Sequence, residues 1–183
     1  VRNSNGEVLS IVEQADASED EKVINEVNSG VYAFDATQLR RSLELLDTNN
    51  EQGELYLTDV ISIARQADRP VRAHRLDDAF VVAGVNNRVQ MAEVAAEMNR
   101  RILTHWMTEG VTIVDPLNTW IDVDVELSRD VTILPGCQLH GTTTVAEGAT
   151  IGPDCSLTNI TVGRDAEVVR SHGSVAVICD RAT

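Results

Sequence analysis

Seven apolar residues stand on a strict six-residue step: Ile121, Leu127, Ile133, Leu139, Val145, Ile151 and Leu157. Four residues after each comes a small or β-branched side chain: Val125, Val131, Cys137, Thr143, Ala149, Cys155 and Thr161. A hexad repeat of this kind predicts a parallel β-helix, with one flat face per hexad and about 18 residues in a three-hexad coil. The anchors point inward, the small side chains fit near the corners, and polar residues face water. The phase slips once. Gly163 stands where the next anchor is due, and Val162 with Val168 restarts the step one residue early, as a shortened corner would require. From Ser171 to Thr183 the pattern fades, which gives about three coils.

Upstream, residues 1 to 86 read as mixed α/β. Val27 to Phe34, interrupted by Ser29-Gly30, and Val71 to Leu76 have the composition of strands. Asp35 is placed to cap a helix carrying Leu39, Leu43 and Leu46 on one face. A second helix is expected from Thr58-Asp59 to Gln66, and a long one from Asn87 to Trp106. On the long helix Met91, Val94, Ala95, Met98, Ile102 and Trp106 follow the spacing of a packing face. Gly110 ends it, and Asp115-Pro116 marks a turn before the hexads. The organisation expected is therefore a first domain over 1–108, a linker over 109–120 and the β-helix over 121–183.

The net charge of −14 and the lack of any basic tract argue against DNA or RNA as a partner. No apolar run approaches the roughly 18 residues of a membrane span, and the start does not read as a signal peptide, so a cytoplasmic protein is expected. The three cysteines do not suggest a disulfide scaffold. Cys137 and Cys155 would stack on adjacent coils about 4.8 Å apart, as small inward-facing side chains. The four histidines show no ligand spacing.

Four strings in the first domain carry more information together than singly: Ile11-Val12-Glu13, Glu26 to Tyr32 (EVNSGVY), Gln52 to Asp59 (QGELYLTD) and Gly84 to Arg88 (GVNNR). They are followed by a long helix, a Gly-Val-x-x-x-Asp-Pro turn from Gly110 to Pro116, and the hexads. In order and spacing, over essentially the whole chain, this resembles the bacterial bifunctional UDP-N-acetylglucosamine pyrophosphorylase / glucosamine-1-phosphate N-acetyltransferase family.

The resemblance implies a fold: the C-terminal part of a Rossmann-like nucleotidyltransferase domain, then the first coils of a left-handed parallel β-helix that trimerises. It implies two reactions in the intact protein, uridyl transfer from UTP to N-acetylglucosamine-1-phosphate and acetyl transfer from acetyl-CoA to glucosamine-1-phosphate. It also implies roles for four residues. Glu13 and Asn28 would hydrogen-bond the sugar hydroxyls and N-acetyl region, Thr58 would lie near the sugar–phosphate end, and Asn86 would be one ligand of a catalytic Mg²⁺. These types suit the chemistry: a carboxylate accepts from hydroxyls, a carboxamide both donates and accepts, and an amide oxygen suits a hard cation. Read singly, the same residues are a surface acid, a turn residue, a helix cap and a loop-to-helix cap.

The family's Gly-rich nucleotide loop, its uracil-reading segment and the aspartate that shares the metal would precede Val1, and its acetyltransferase residues would follow Thr183. The chain is therefore expected to be an internal fragment, inactive by itself, and His172 falls too early in the coils to be the acetyl-transfer base. Two other readings stay open: a single-activity hexose-1-phosphate nucleotidyltransferase with a β-helix tail, and a non-catalytic β-helix module that scaffolds a trimer.

Overall fold

The computed structural model describes all 183 residues. It divides into two compact units, residues 1–84 and 85–183. The unit boundary thus falls ahead of the long helix, which belongs with the coils rather than with the first domain.

The first unit is helices and loops. Helices α1 (Glu19–Lys22), α2 (Ala36–Leu43) and α3 (Asp59–Gln66) are joined by irregular segments, with a 3₁₀ turn at Ala79–Val82. Asp35 does cap α2, its carboxylate accepting from the Gln38 amide at 2.8 Å. Helices α2 and α3 pack together, and Val60, Ile61 and Ala64 of α3 are buried with Ser42 of α2. Leu43, expected on the packing face, is exposed. The strands expected at Val27–Phe34 and Val71–Leu76 are not formed, and the unit's only ladder is an isolated antiparallel bridge between Arg2 and Val8. A strand needs a partner for its amides and carbonyls, and neither segment has one. The valines of the first segment accordingly lie open, Val27 at 82% and Val31 at 75% exposure.

The second unit opens with α4 (Arg88–Thr108) and continues as a parallel solenoid of four coils. The first coil contains β1 (Thr112–Ile113), β2 (Trp120–Ile121) and β3 (Glu126–Leu127); the second β4 (Thr132–Ile133), β5 (Gln138–His140) and β6 (Thr144–Val145). The third contains β7 (Thr150–Ile151), β8 (Ser156–Thr158) and β9 (Thr161–Val162); the fourth β10 (Glu167–Val168), β11 (His172–Ser174) and β12 (Val177–Ile178). Equivalent strands stack into three four-stranded sheets. The first coil begins at Thr112, inside the segment read from sequence as a linker, because its opening step from Ile113 to Ile121 is eight residues and breaks the hexad count.

All seven hexad anchors are buried. The small register holds from Val125 to Cys155, but Thr161 is exposed and Ile160 is buried in its place. The register explains why. Thr132 pairs with Thr150, one coil of 18 residues, whereas Thr150 pairs with Glu167 and Ser156 with His172, so the coils shorten to 17 and then 16. The pattern fades in sequence for the same reason. At the inward position of β11, opposite Leu157, stands Gly173, where a Cβ would come within 3.2 Å of the Ile160 Cδ1. Corners need left-handed backbone, supplied at Asp130, Asp154, Asn159 and Asp165, residue types that tolerate it. Asn159 also ties coils together, its Oδ1 accepting from the Thr142 amide at 2.9 Å.

Helix α4 ends in a Schellman motif. Gly110 takes φ +99°, and the Val111 amide reaches back to the Trp106 carbonyl at 3.0 Å. The buried face of α4 differs from the expected stripe: Met91, Ala95 and Met98 are exposed, while Asn99 and Leu103 are buried and Ile102 and Trp106 pack on the core. Asn99 belongs there because β2 is the edge strand of its sheet. The Asn99 side chain donates to the Thr119 carbonyl at 2.8 Å and accepts from the Ile121 amide at 3.1 Å, pairing groups that no neighbouring strand reaches. Cys137 and Cys155 are buried free thiols pointing inward. Burial pushes the Cys137 thiol up.

Candidate functional site

Two of the four expected site residues meet in the first unit. Thr58 precedes α3 and is buried, yet its side chain makes no capping bond. Its hydroxyl instead donates to Glu13 Oε1 at 3.2 Å, across 45 residues of sequence. A cap alone would leave that contact unexplained. The Glu13 carboxylate keeps its other oxygen for further donors, and the Thr58 oxygen can still accept.

The surroundings are acidic. Burial pushes the Asp59 carboxyl above its ordinary value, and the charges of Asp47, Asp16 and Glu13 push it further. Tyr56, two residues before Thr58, has its hydroxyl oxygen buried. Burial and then the Asp16 charge raise its phenol. Asp16 in turn accepts from the Glu51 amide at 2.8 Å, holding the loop after α2 beside the Glu13 segment. Sequence reasoning did not single out Tyr56 or Asp16. The available signal was the position of Tyr56 within the same string as Thr58.

Asn28 lies in a turn, as its Ser29-Gly30 sequel predicts. Its Oδ1 accepts from the Gly30 amide at 3.2 Å, and Gly30 has φ +74°. Its Nδ2 donates to the Tyr32 hydroxyl at 2.6 Å. The side chain is exposed, and no hydrogen bond joins it to the Glu13–Thr58 pair.

Asn86 belongs to the second unit. The neighbouring residue does the capping: Asn87 Oδ1 accepts from the Gln90 amide at 3.0 Å, while Gln90 Oε1 accepts from the Asn86 amide at 2.7 Å. That reciprocal pair fixes the Asn86 backbone and leaves its exposed carboxamide without a partner in the chain. A single free amide oxygen fits one place in the shell of Mg²⁺, which takes few protein ligands beside phosphate oxygens and water. No group of three or more His, Cys, Asp or Glu side chains is arranged to hold a metal. His172 is exposed on β11.

No protein-family model matches the chain. Among curated proteins, the bifunctional protein GlmU of Corynebacterium jeikeium is 59% identical over 182 residues, all of this chain and 37% of the relative. That of Rhodococcus jostii is 60% identical over 178 residues, 97% of this chain and 36% of the relative. That of Mycolicibacterium vanbaalenii is 55% identical over 180 residues, 98% and 37% respectively. The chain thus spans somewhat over a third of the length of the relatives it matches. Identity of this order along the whole of the 183 residues, strings and hexads alike, makes the chain a member of the bifunctional GlmU family.

Proposed function

We propose that this chain serves UDP-N-acetylglucosamine biosynthesis, supplying the sugar side of a uridyl-transfer site and the opening coils of an acetyl-transfer domain. In the intact cytoplasmic protein, UTP and N-acetylglucosamine-1-phosphate would react at the first site, and acetyl-CoA and glucosamine-1-phosphate at the second. The first unit would be part of a Rossmann-like nucleotidyltransferase domain. The solenoid would be left-handed and would bring three copies together. At about 37% of its relatives' length, the chain by itself is expected to complete neither reaction.

The observation that carries the reading is the Thr58–Glu13 hydrogen bond, since two residues 45 apart that the resemblance assigns to one ligand are in contact. Glu13 would accept from sugar hydroxyls, with Thr58 fixing the rotamer that aims its free oxygen. Asn28 would donate to the N-acetyl carbonyl or accept from a hydroxyl. Asn86 would give one oxygen to Mg²⁺, and the bound ion would neutralise phosphate charge during the transfer.

The test uses a full-length GlmU protein carrying this segment. Glu13→Ala should raise KM for N-acetylglucosamine-1-phosphate by about 10- to 100-fold, as loss of hydrogen bonds to a charged acceptor requires. KM for UTP and the acetyl-transfer rate should hold. An unmoved sugar-phosphate KM would contradict the assignment.

A further inference from the structure

The Asn28 carboxamide is held at both ends. Its oxygen is taken by the Gly30 amide at 3.2 Å, so the end facing Tyr32 must be the nitrogen, which donates to the Tyr32 hydroxyl at 2.6 Å. Tyr32 is itself braced: it is half-buried, and its ring stacks on Phe34 with centroids 5.4 Å apart and planes 24° apart. An exposed asparagine in a turn would ordinarily sample several rotamers and both amide orientations. Here one orientation is selected, by a phenol on a rigid platform.

We infer that Tyr32 is the positioning residue for sugar recognition by Asn28, setting which amide end meets the sugar; this rests on the proposed role of Asn28. The arrangement leaves a defined set of groups: one Nδ2 proton, one lone pair on Oδ1, and the Tyr32 hydroxyl proton, since that oxygen is already used as an acceptor. Two donors side by side suit a carbonyl oxygen, such as that of an N-acetyl group, better than a hydroxyl that must also donate. Tyr32 thereby makes the site selective for an N-acetylated sugar over one with a free hydroxyl at that carbon. Phenylalanine at 32 would keep the stacking and lose only the oxygen.

The experiment measures uridyl-transfer kinetics in a full-length GlmU protein carrying this segment, for Asn28→Ala, Tyr32→Phe and the double variant. N-acetylglucosamine-1-phosphate and glucose-1-phosphate serve as alternative substrates, and each variant's Tm is recorded. Tyr32→Phe should raise KM for the N-acetylated substrate about 3- to 10-fold, the ratio carried by one ordinary hydrogen bond. It should leave kcat, KM for UTP and Tm in place, narrow the preference over glucose-1-phosphate, and add nothing in the Asn28→Ala background. If Asn28→Ala raises the sugar-phosphate KM and Tyr32→Phe does not, the positioning role is wrong while the role of Asn28 stands. If Asn28→Ala itself has no effect, the reading beneath fails and the inference with it. A Tyr32→Phe effect that persists undiminished in the double variant, or that comes with a lower Tm and a raised KM for UTP, makes Tyr32 a structural residue and overturns the inference.

Discussion

The two units bury their side chains in opposite ways. In the solenoid, Ile133, Leu139, Ile151 and Leu157 are shielded from water to within about a hundredth of their surface, each stacked on its equivalent one coil away. In the first unit only Ser42 and Val60 are shielded to that degree, Thr58, Ile61 and Ala64 being buried less completely, and Val23, Val27 and Val31 stand 74 to 82% exposed. Yet three of the four expected site residues lie in the thinly packed unit. Repetition builds a rigid stack whose fold is redundantly encoded, whereas the proposed recognition residues are polar, lie on loops and are held by single hydrogen bonds such as Thr58 to Glu13. Under the proposed assignment, stability and recognition answer to different residues.

The largest effect should come from the stack. Leu139→Ala deletes a wholly buried side chain between two coils and should cost about 2–5 kcal/mol of unfolding free energy. Val31→Ala, at 75% exposure, should stay within about 0.5 kcal/mol. Chemical denaturation of both variants measures the gap, and equal losses would erase the contrast. Asn99→Ala comes next. It leaves the Ile121 amide and the Thr119 carbonyl without partners at the edge of the first coil, at about 1–3 kcal/mol for each group that water does not reach. Hydrogen exchange should rise first at Ile121, and unchanged protection there would show that the edge does not depend on this cap.

The smallest effect concerns charge. On α4 the Arg100 and Arg101 guanidiniums, at 2.6–2.8 Å, hold the Glu97 carboxyl down to about 2 from 4.5. A carboxylate lowered on folding adds stability above its unfolded pKa and loses it as pH falls toward the folded one, so any contribution should fade between about 4.5 and 2. The arginines reach into solvent, which screens the pairs, so the signature is spectroscopic rather than energetic. An NMR titration of Glu97 with a midpoint near 4.5 would show that these ion pairs are not formed in solution.

The division between the units also explains what could be read from the residues. The hexad anchors announced the solenoid because inward positions repeat, and the one slip marked a real shortening of the coil at Ile160. The fourth coil stayed hidden, since Gly173 takes an inward place where an apolar residue was sought. On α4, apolar spacing pointed to Met91 and Met98 and passed over Asn99, because periodicity does not register a polar residue recruited to pair edge backbone. Strand composition at Val27–Phe34 misled for want of a pairing partner. At the site, Glu13 and Thr58 could be joined only through the resemblance, since no local rule connects residues 45 apart. The bond from Asn28 to Tyr32, by contrast, spans a turn that the Ser29-Gly30 pair does announce.

The central claim, that recognition residues act by chemistry while the stack holds the fold, meets its most direct test at Asn86. Asn87 performs the capping, so the free carboxamide of Asn86 is available to a metal and dispensable to the helix. In a full-length GlmU protein carrying this segment, Asn86→Ala should lower uridyl transfer by roughly 100-fold or more. Acetyl transfer and the melting temperature should stay close to the parent. Measured on one preparation, a lowered melting temperature with near-normal uridyl transfer would contradict the account and make Asn86 part of the cap.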